Sequence, residues 1–487
     1  MSTTSPVILL EFNELTPWLM TRFMREGHLP NFSRLFRESR VFTTDAEESG
    51  WNLEPWIQWV TVHSGVPAAV HGVRELGEAH RLQQPALTDI LSAAERRVWI
   101  CGSMNARYDD RLNGAFLPDP WTTSVQPRPH RLRAYYRFVQ RYVHEHTRAE
   151  GRLTAGECLG FLGFMLTHGL SPSTATTIAR QLLRERGGRY RWQRVAAMDR
   201  LQWDVFRWYY ARIRPHFSTF FLNSTAHLQH KYWRNLDPDR FTLRPTAEDQ
   251  AELEGAILFG YRQMDGLIGR FLRLAGDHAT LVFCTALSQQ PCLLYEDSGG
   301  KAFYRPRDID RLLAFVGVTS PYRYFPVMSE QFRLEFDGEA PAVSAHARLA
   351  ALRVSGQPVM YVRREGAEVF GGCSVFSQLS AGAMLEAPPS PAPSSASTAF
   401  AEMFYQADGV KSGMHHPDGM LWIRLPDRRH AVLPDKVSLL SIAPTILRLL
   451  DVTPPDSMRA AALELDGHLD HASAGAAAAP RDPGRRA

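Results

Sequence analysis

Four short runs of almost unbroken apolar residues punctuate the chain: Val7–Phe12 (VILLEF), Arg97–Gly102 (RVWICG), Phe217–Leu222 (FSTFFL) and Thr280–Thr285 (TLVFCT). Runs of this length without polar alternation suit strands buried on both faces. Helical patterns separate them. Thr16-Pro17 open a helix to about Arg25, with Thr16 as N-cap, Pro17 in the first turn and Gly27 just beyond the end. Leu29-Pro30-Asn31 begin another through Glu38, with Phe32, Leu35 and Phe36 on one face. Leu87–Ala94, Ala226–Asn235 and Gln250–Leu274 read as further helices, Met420–Leu425 as a late strand and Ser441–Leu450 as a closing helix. Strands of this kind between helices predict an α/β fold, a mostly parallel sheet sandwiched between helices.

The pattern also divides the chain. Residues 1–110 form the first part of the α/β core. From 111 to 215 strand signals disappear, and Tyr135, Tyr136, Phe138, Tyr142, Trp192, Trp203, Phe206, Trp208 and Tyr209 interleave with arginines at helical spacing, a helical insertion. That mixture either lines a groove for an anionic, ring-bearing ligand or packs its aromatic faces inward with the arginines in solvent. The core resumes at 216–300. A mixed insertion follows at 301–400, with a Pro/Ser/Ala-rich loop at Ala387–Ser397 (APPSPAPSSAS). Residues 401–465 close the core, and 466–487 read as a disordered tail.

Composition narrows the setting without naming a function. The 487 residues are 44% hydrophobic and 22% charged, ordinary for a globular protein, and a formal charge of +4 makes no case for nucleic acid. Five cysteines with no CxxC pair argue against a disulfide framework or a zinc ribbon. No signal peptide or transmembrane segment is legible: Met1–Pro6 is polar, and Cys158–Leu170 is too short to span. A cytoplasmic protein is the expectation.

Candidate chemistry gathers where the core resumes. Phe217–Leu222 ends at Asn223-Ser224-Thr225, which suit a helix N-cap, and the helix that follows carries His227 and His230 three residues apart. Both imidazoles then sit beyond the carboxyl end of a strand, where open α/β sheets bind ligands. Either they hold a metal or anion, or one packs in the core while the other is solvated.

The order of the pieces resembles the type I phosphodiesterase/nucleotide pyrophosphatase branch of the alkaline phosphatase superfamily. VILLEFNELTPWLM with LPNFSRLF resembles that family's first strand, metal loop and helix, and SGVPAAVHGV its turn after the nucleophile. FFLNSTAHLQHKYWRNLDP resembles its aspartate-x-x-x-histidine segment, SGMHHPDGMLWIRLP its late histidine loop, and VSLLSIAPTILRLLDVTPPDSM its closing helix. The resemblance implies a site at the carboxyl edge of the sheet where two zinc-type ions clamp a phosphoryl group and activate a Ser/Thr nucleophile.

Carried over residue by residue, that machinery is incomplete. The segment histidine falls on His230 and the late one on His415, but the aspartate before His230 falls on Ala226. Another aspartate falls on Asn13, and an aspartate-histidine pair falls on Ala286 and Leu287. The nucleophile position lands near Glu54-Pro55, with Thr61 and Ser64 among the nearest hydroxyls. Missing carboxylates remove the charge that would hold two dications together. The expectation is therefore at most one divalent ion (Zn, Mn or Fe), held by His230, His415 and His227. Glu54 and Thr61 are the catalytic candidates, and Asn13, His63 and His416 the substrate-binding ones. His71 is expected to hold the turn before Gly72. Two function classes remain. One is a diverged metal-dependent hydrolase or transferase acting on a phosphate- or sulfate-bearing small molecule or glycan-linked precursor. The other is a catalytically inactive relative that binds an anionic ligand or a partner protein.

Overall fold

Val7–Phe12 forms β1, and all six of its residues are buried. The computed structural model describes residues 4–145, 154–387 and 397–465. The Pro/Ser-rich loop, save its end residues, and the tail from 466 lie outside them. β1 is flanked by Phe217–Leu222 (β5) and Thr280–Cys284 (β6), parallel to both. Val98–Cys101 (β3) pairs in parallel with β5 and with Gly114–Leu117 (β4). The four apolar runs thus lie in one sheet, each trimmed by at most a residue per end.

Arg40–Asp45 (β2) and Asp418–Arg424 (β9) complete the centre of the sheet. β9 is antiparallel to β2 and to β6, between which it lies. Ala431–Val432 (β10) and Val437–Ser438 (β11) run parallel to β2. Among the described residues the strand order is β10-β2-β9-β6-β1-β5-β3-β4, with β11 also on β2. Beside the two-residue β10 and β11, two strands of the sheet depart from expectation: β2 carried no apolar run, and β4 falls inside the stretch read as a helical insertion.

The register decides where chemistry can gather. Val7 is level with Phe217 and Thr280, so β1, β5 and β6 finish on one edge. The loops that follow, Asn13-Glu14, Asn223 and Thr285–Leu287, lie along that carboxyl edge. Running the other way, β9 begins there, with Asp418 level with Asp45 and Leu421 level with Cys284. The preceding strand Gly413–His416 (β8), paired with Ser288–Pro291 (β7), therefore delivers its residues to the same edge.

The longer helices accompanying this sheet are Pro17–Arg25 (α1), Pro30–Arg37 (α2), Pro55–Ser64 (α3), Arg133–Glu145 (α4), Ala155–Thr167 (α5), Pro172–Arg184 (α6), Val195–Ile213 (α7), Ser224–Leu236 (α8), Ala256–Ala275 (α9) and Ile442–Leu449 (α10), with shorter ones between. The helix expected over Gln250–Leu274 is broken at Glu254-Gly255 into Ala247–Leu253 and α9. Glycine weakens a helix interior by about 1 kcal/mol, and here it supplies the break. α9 holds α2 in place: Asp265 accepts from the Phe32 backbone N–H and the Asn31 amide, both at 2.8 Å. That satisfies donors a helix start otherwise leaves unpaired. α3 is buried along its whole length and ends at Gly65 with φ +64°, where a Cβ would come within 2.9 Å of Met458.

The large sheet and its helices belong to one compact unit, whose described residues are 4–145, 154–236, 246–290 and 414–465. The second unit, residues 237–245 and 291–413, has its own core, including Leu312, Phe332, Leu334, Leu349 and Val369. It contains a four-stranded antiparallel sheet in the order Met360–Glu365, Glu368–Cys373, Gln331–Phe336, Tyr322–Pro326.

Candidate metal centre

The chain leaves β1 at Phe12, and within two residues it turns a carboxylate into the site. Glu14 has φ +60°, a left-handed conformation that non-glycine residues adopt only where their surroundings hold them. Here the hold is visible. The Gln229 amide donates to the Glu14 carbonyl at 2.8 Å, and the Glu14 N–H donates to the Thr285 carbonyl at 3.2 Å. Tyr261 of α9 accepts from the Thr16 N–H at 2.7 Å and donates to Gln229 Oε1 at 2.8 Å.

The Glu14 carboxylate meets the two histidines that the motifs singled out. His230 Nε2 lies 3.0 Å and His415 Nε2 3.6 Å from Glu14 Oε2, and the two rings are 5.3 Å apart between centroids. One donor atom from each residue lies within 4.8 Å of the others, the one such group among the described residues. Asn13 Nδ2 donates to Glu14 Oε1 at 2.7 Å, and Gln289 Nε2 donates to Oε2 at 2.5 Å. Burial works against ionisation of Glu14. The charges of His415 and His230, with hydrogen bonds from His230 and Gln289, outweigh it and lower the carboxyl to about 2.

Glu54 sits at the N-cap of α3 with its carboxylate 3.4 Å from His415 Nδ1. His415 thus has a carboxylate on each side, Glu54 at Nδ1 and Glu14 at Nε2. His227, one helical turn before His230, lies outside the donor group; Glu14 takes the third place instead. His416 follows His415 directly on a strand and so points to the opposite face. Its Nδ1 accepts from the Asp418 N–H at 3.2 Å, and burial lowers its pKa. Asn13 is fully engaged: besides Glu14, its Nδ2 reaches Asn223 at 2.8 Å, and its Oδ1 accepts from the Trp59 indole at 2.8 Å. It orients the carboxylate beside it.

Thr61 and His63 also turn inward. The Thr61 hydroxyl lies 3.4 Å from the Ile57 carbonyl and 3.2 Å from His71 Nε2. His71 Nδ1 accepts from the Val73 N–H, so in the neutral ring Nε2 carries the proton and points it at Thr61. Burial and the neighbouring Arg74 lower His71 to about 4, which keeps the ring neutral. Donating to Thr61, His71 cannot also take its proton. His63 Nε2 is 2.6 Å from Glu11 Oε1, and both side chains are buried in the core. Where the resemblance calls for a second ion's aspartate-histidine pair, Ala286 and Leu287 are fully buried.

Reading by motif missed Glu14, Gln289 and the clamp of Gln229 and Tyr261. The one available signal was that a carboxylate directly follows Asn13.

No family model and no curated protein matches the sequence. Solved structures do show likeness. A phosphonoacetate hydrolase from Sinorhizobium meliloti 1021, in complex with phosphonoacetate, is 12% identical with a TM-score of 0.39, over 92% of this chain and 96% of its own. Murine ectonucleotide pyrophosphatase/phosphodiesterase 5, an inactive form with AMP, is 9% identical with a TM-score of 0.42, over 92% and 96%. Wild-type alkaline phosphatase PafA is 11% identical with a TM-score of 0.42, over 95% and 99%. At these scores the likeness carries no weight on the chemistry, and the fold rests on the sheet itself. In the order of its motifs and in its mostly parallel sheet, with a histidine-carboxylate cluster at the carboxyl edge, the chain resembles the alkaline phosphatase superfamily.

Proposed function

We propose that the protein is a hydrolase or transferase for a phosphate- or sulfate-bearing small molecule or glycan precursor, working through a single divalent ion. The observation that carries this reading is the convergence of Glu14, His230 and His415, from three distant segments, with donor atoms within 4.8 Å of one another. The donors fit an ion. Two imidazoles and one carboxylate suit Zn, Mn or Fe(II), whereas magnesium and calcium favour all-oxygen sites. The carboxylate is also held from outside, by Asn13 and Gln289, as supporting partners of metal ligands are.

A bound divalent ion would supply positive charge to a phosphoryl or sulfuryl oxygen. The protein's own groups do the rest. Glu54, 3.4 Å from His415 Nδ1, would accept that nitrogen's proton with an ion bound, leaving Nε2 free to hold the ion beside Glu14. Glu54 is also a partly exposed carboxylate beside His415, and we assign it the role of proton acceptor from the attacking hydroxyl or water. Thr61 receives no nucleophilic role, because its hydroxyl is turned to α3 and to His71.

Metal analysis of protein purified without chelator, together with phosphatase and sulfatase assays, tests this. About one equivalent of ion, lost in His230→Ala and in Glu14→Gln, is the expected result. Metal-free protein with no turnover would reject it. A second reading, a binder of anionic ligands without turnover, draws on the apolar Ala286 and Leu287. It is separated from the first by ion present and ligand bound without turnover.

A further inference from the structure

The helical insertion carries an exposed apolar face and a charge unlike the rest of the chain. Residues 128–214 contain seventeen arginines, no lysine and six acidic residues, a formal +11; the whole chain is +4, so the remainder is −7. Charge segregated this way favours contact with an anionic surface.

α5 supplies the apolar part. Its inner face packs on α4, with Phe161 stacked on Phe138 at 3.8 Å and Phe164 beside Tyr135 at 6.1 Å. Its outer face presents Leu159, Leu162 and Leu166, at spacings of three and four, with 68%, 48% and 66% of their surfaces exposed. The one acidic residue of α5, Glu157, is engaged at the helix start by Thr154 and Arg141, so the leucine row carries no opposing charge. On α6, Leu182 and Leu183 are more than half exposed, between the exposed arginines Arg180 and Arg184. Leucines on an outward face, with arginines beside them, are the composition of helices that lie in a lipid interface. No helix among the described residues is long and apolar enough to cross a membrane, so the contact is with the surface.

We infer that this insertion docks the protein on an anionic phospholipid bilayer, with the α5 and α6 leucines entering the interface and the arginines meeting lipid phosphates. A second copy of the chain is a poorer occupant, because it would bring one +11 segment against another.

Sedimentation of the full-length protein with vesicles tests this. Mixed phosphatidylglycerol–phosphatidylcholine vesicles should bind it, and pure phosphatidylcholine should not. Binding should weaken steeply with salt. Arg180→Gln and Arg184→Gln should each cost about fivefold in affinity. The triple variant Leu159→Ser/Leu162→Ser/Leu166→Ser should lose about tenfold or more. Those side chains are exposed, so its melting curve should match the wild type; a folded triple variant that binds as well as wild type overturns the inference. So does failure of the wild type to bind anionic vesicles at low salt. A wild-type dimer that the triple variant converts to monomer, with no vesicle binding by either, would make the leucine face a contact between copies instead.

Discussion

A carboxylate displaced by one position separates what the motifs implied from what the structure shows. The resemblance directed attention to Asn13, which cannot carry charge, while the carboxylate sits at Glu14 and reaches the histidines through a backbone at φ +60°. Glu14→Gln should abolish ion retention, read by metal analysis, and should also lower the apo protein's melting in calorimetry, because the new amide turns an N–H2 toward Asn13 Nδ2 or Gln289 Nε2, each itself a donor. His230 and His415 were legible because histidines stand out on their segments. Glu14 was not, since a left-handed turn leaves no mark in an apolar-polar pattern. Elsewhere the residues inform stability. Glu11 and His63 form a buried pair, and among the described residues Glu11 Oε2 and His63 Nδ1 have no hydrogen-bond partner. Removing one member of such a pair strands the other, so His63→Leu should cost about 3–5 kcal/mol in urea unfolding, and Glu11→Leu/His63→Leu should recover most of it. His71 gives a pH dependence of defined sign. Its pKa is about 4 when folded against 6.5 ordinarily, so between those values the unfolded chain binds more protons. Its contribution is complete above the higher value and is lost as pH falls toward the lower, at most about 3 kcal/mol at 1.36 kcal/mol per unit. His71→Gln should flatten that part of the stability–pH curve.

At the scale of elements, neighbouring helices hold the candidate site in place. The site loop after β1 is fastened by α8 and α9 through Gln229 and Tyr261, neither of them a candidate ligand. Tyr261→Phe removes a buried hydroxyl that serves the Thr16 N–H and the Gln229 amide, which should cost about 1–3 kcal/mol. It should also weaken ion retention by about tenfold, read by competition with a chelating dye. The four central strands were readable because burial on both faces demands apolar runs. β2 was not: its RVFTTD sequence mixes charge and hydroxyls, and its partner β9 lies far along the chain. β4 is four residues long and starts with glycine, too little pattern to separate from the helical insertion.

At the scale of the whole molecule, binding of the proposed ion would be linked to folding. With free metal at a hundred times its dissociation constant that ion would add about 2.7 kcal/mol to stability, so chelator should lower the melting temperature of the wild type and not that of His230→Ala. Generic phosphodiesters such as nitrophenyl esters should be turned over weakly or not at all. Strong turnover abolished by Thr61→Ala alone would restore that hydroxyl as nucleophile. The placement of β9 reaches further, into biosynthesis. When β6 leaves the ribosome, residues 291–413 are still to be made, and the facing edges of β2 and β6 wait unpaired for a strand that comes after them. His415 arrives just ahead of that strand, so a nascent chain brings it to Glu14 and His230 only as the slot in the sheet is filled. An ion held there, as proposed, would mark a finished molecule.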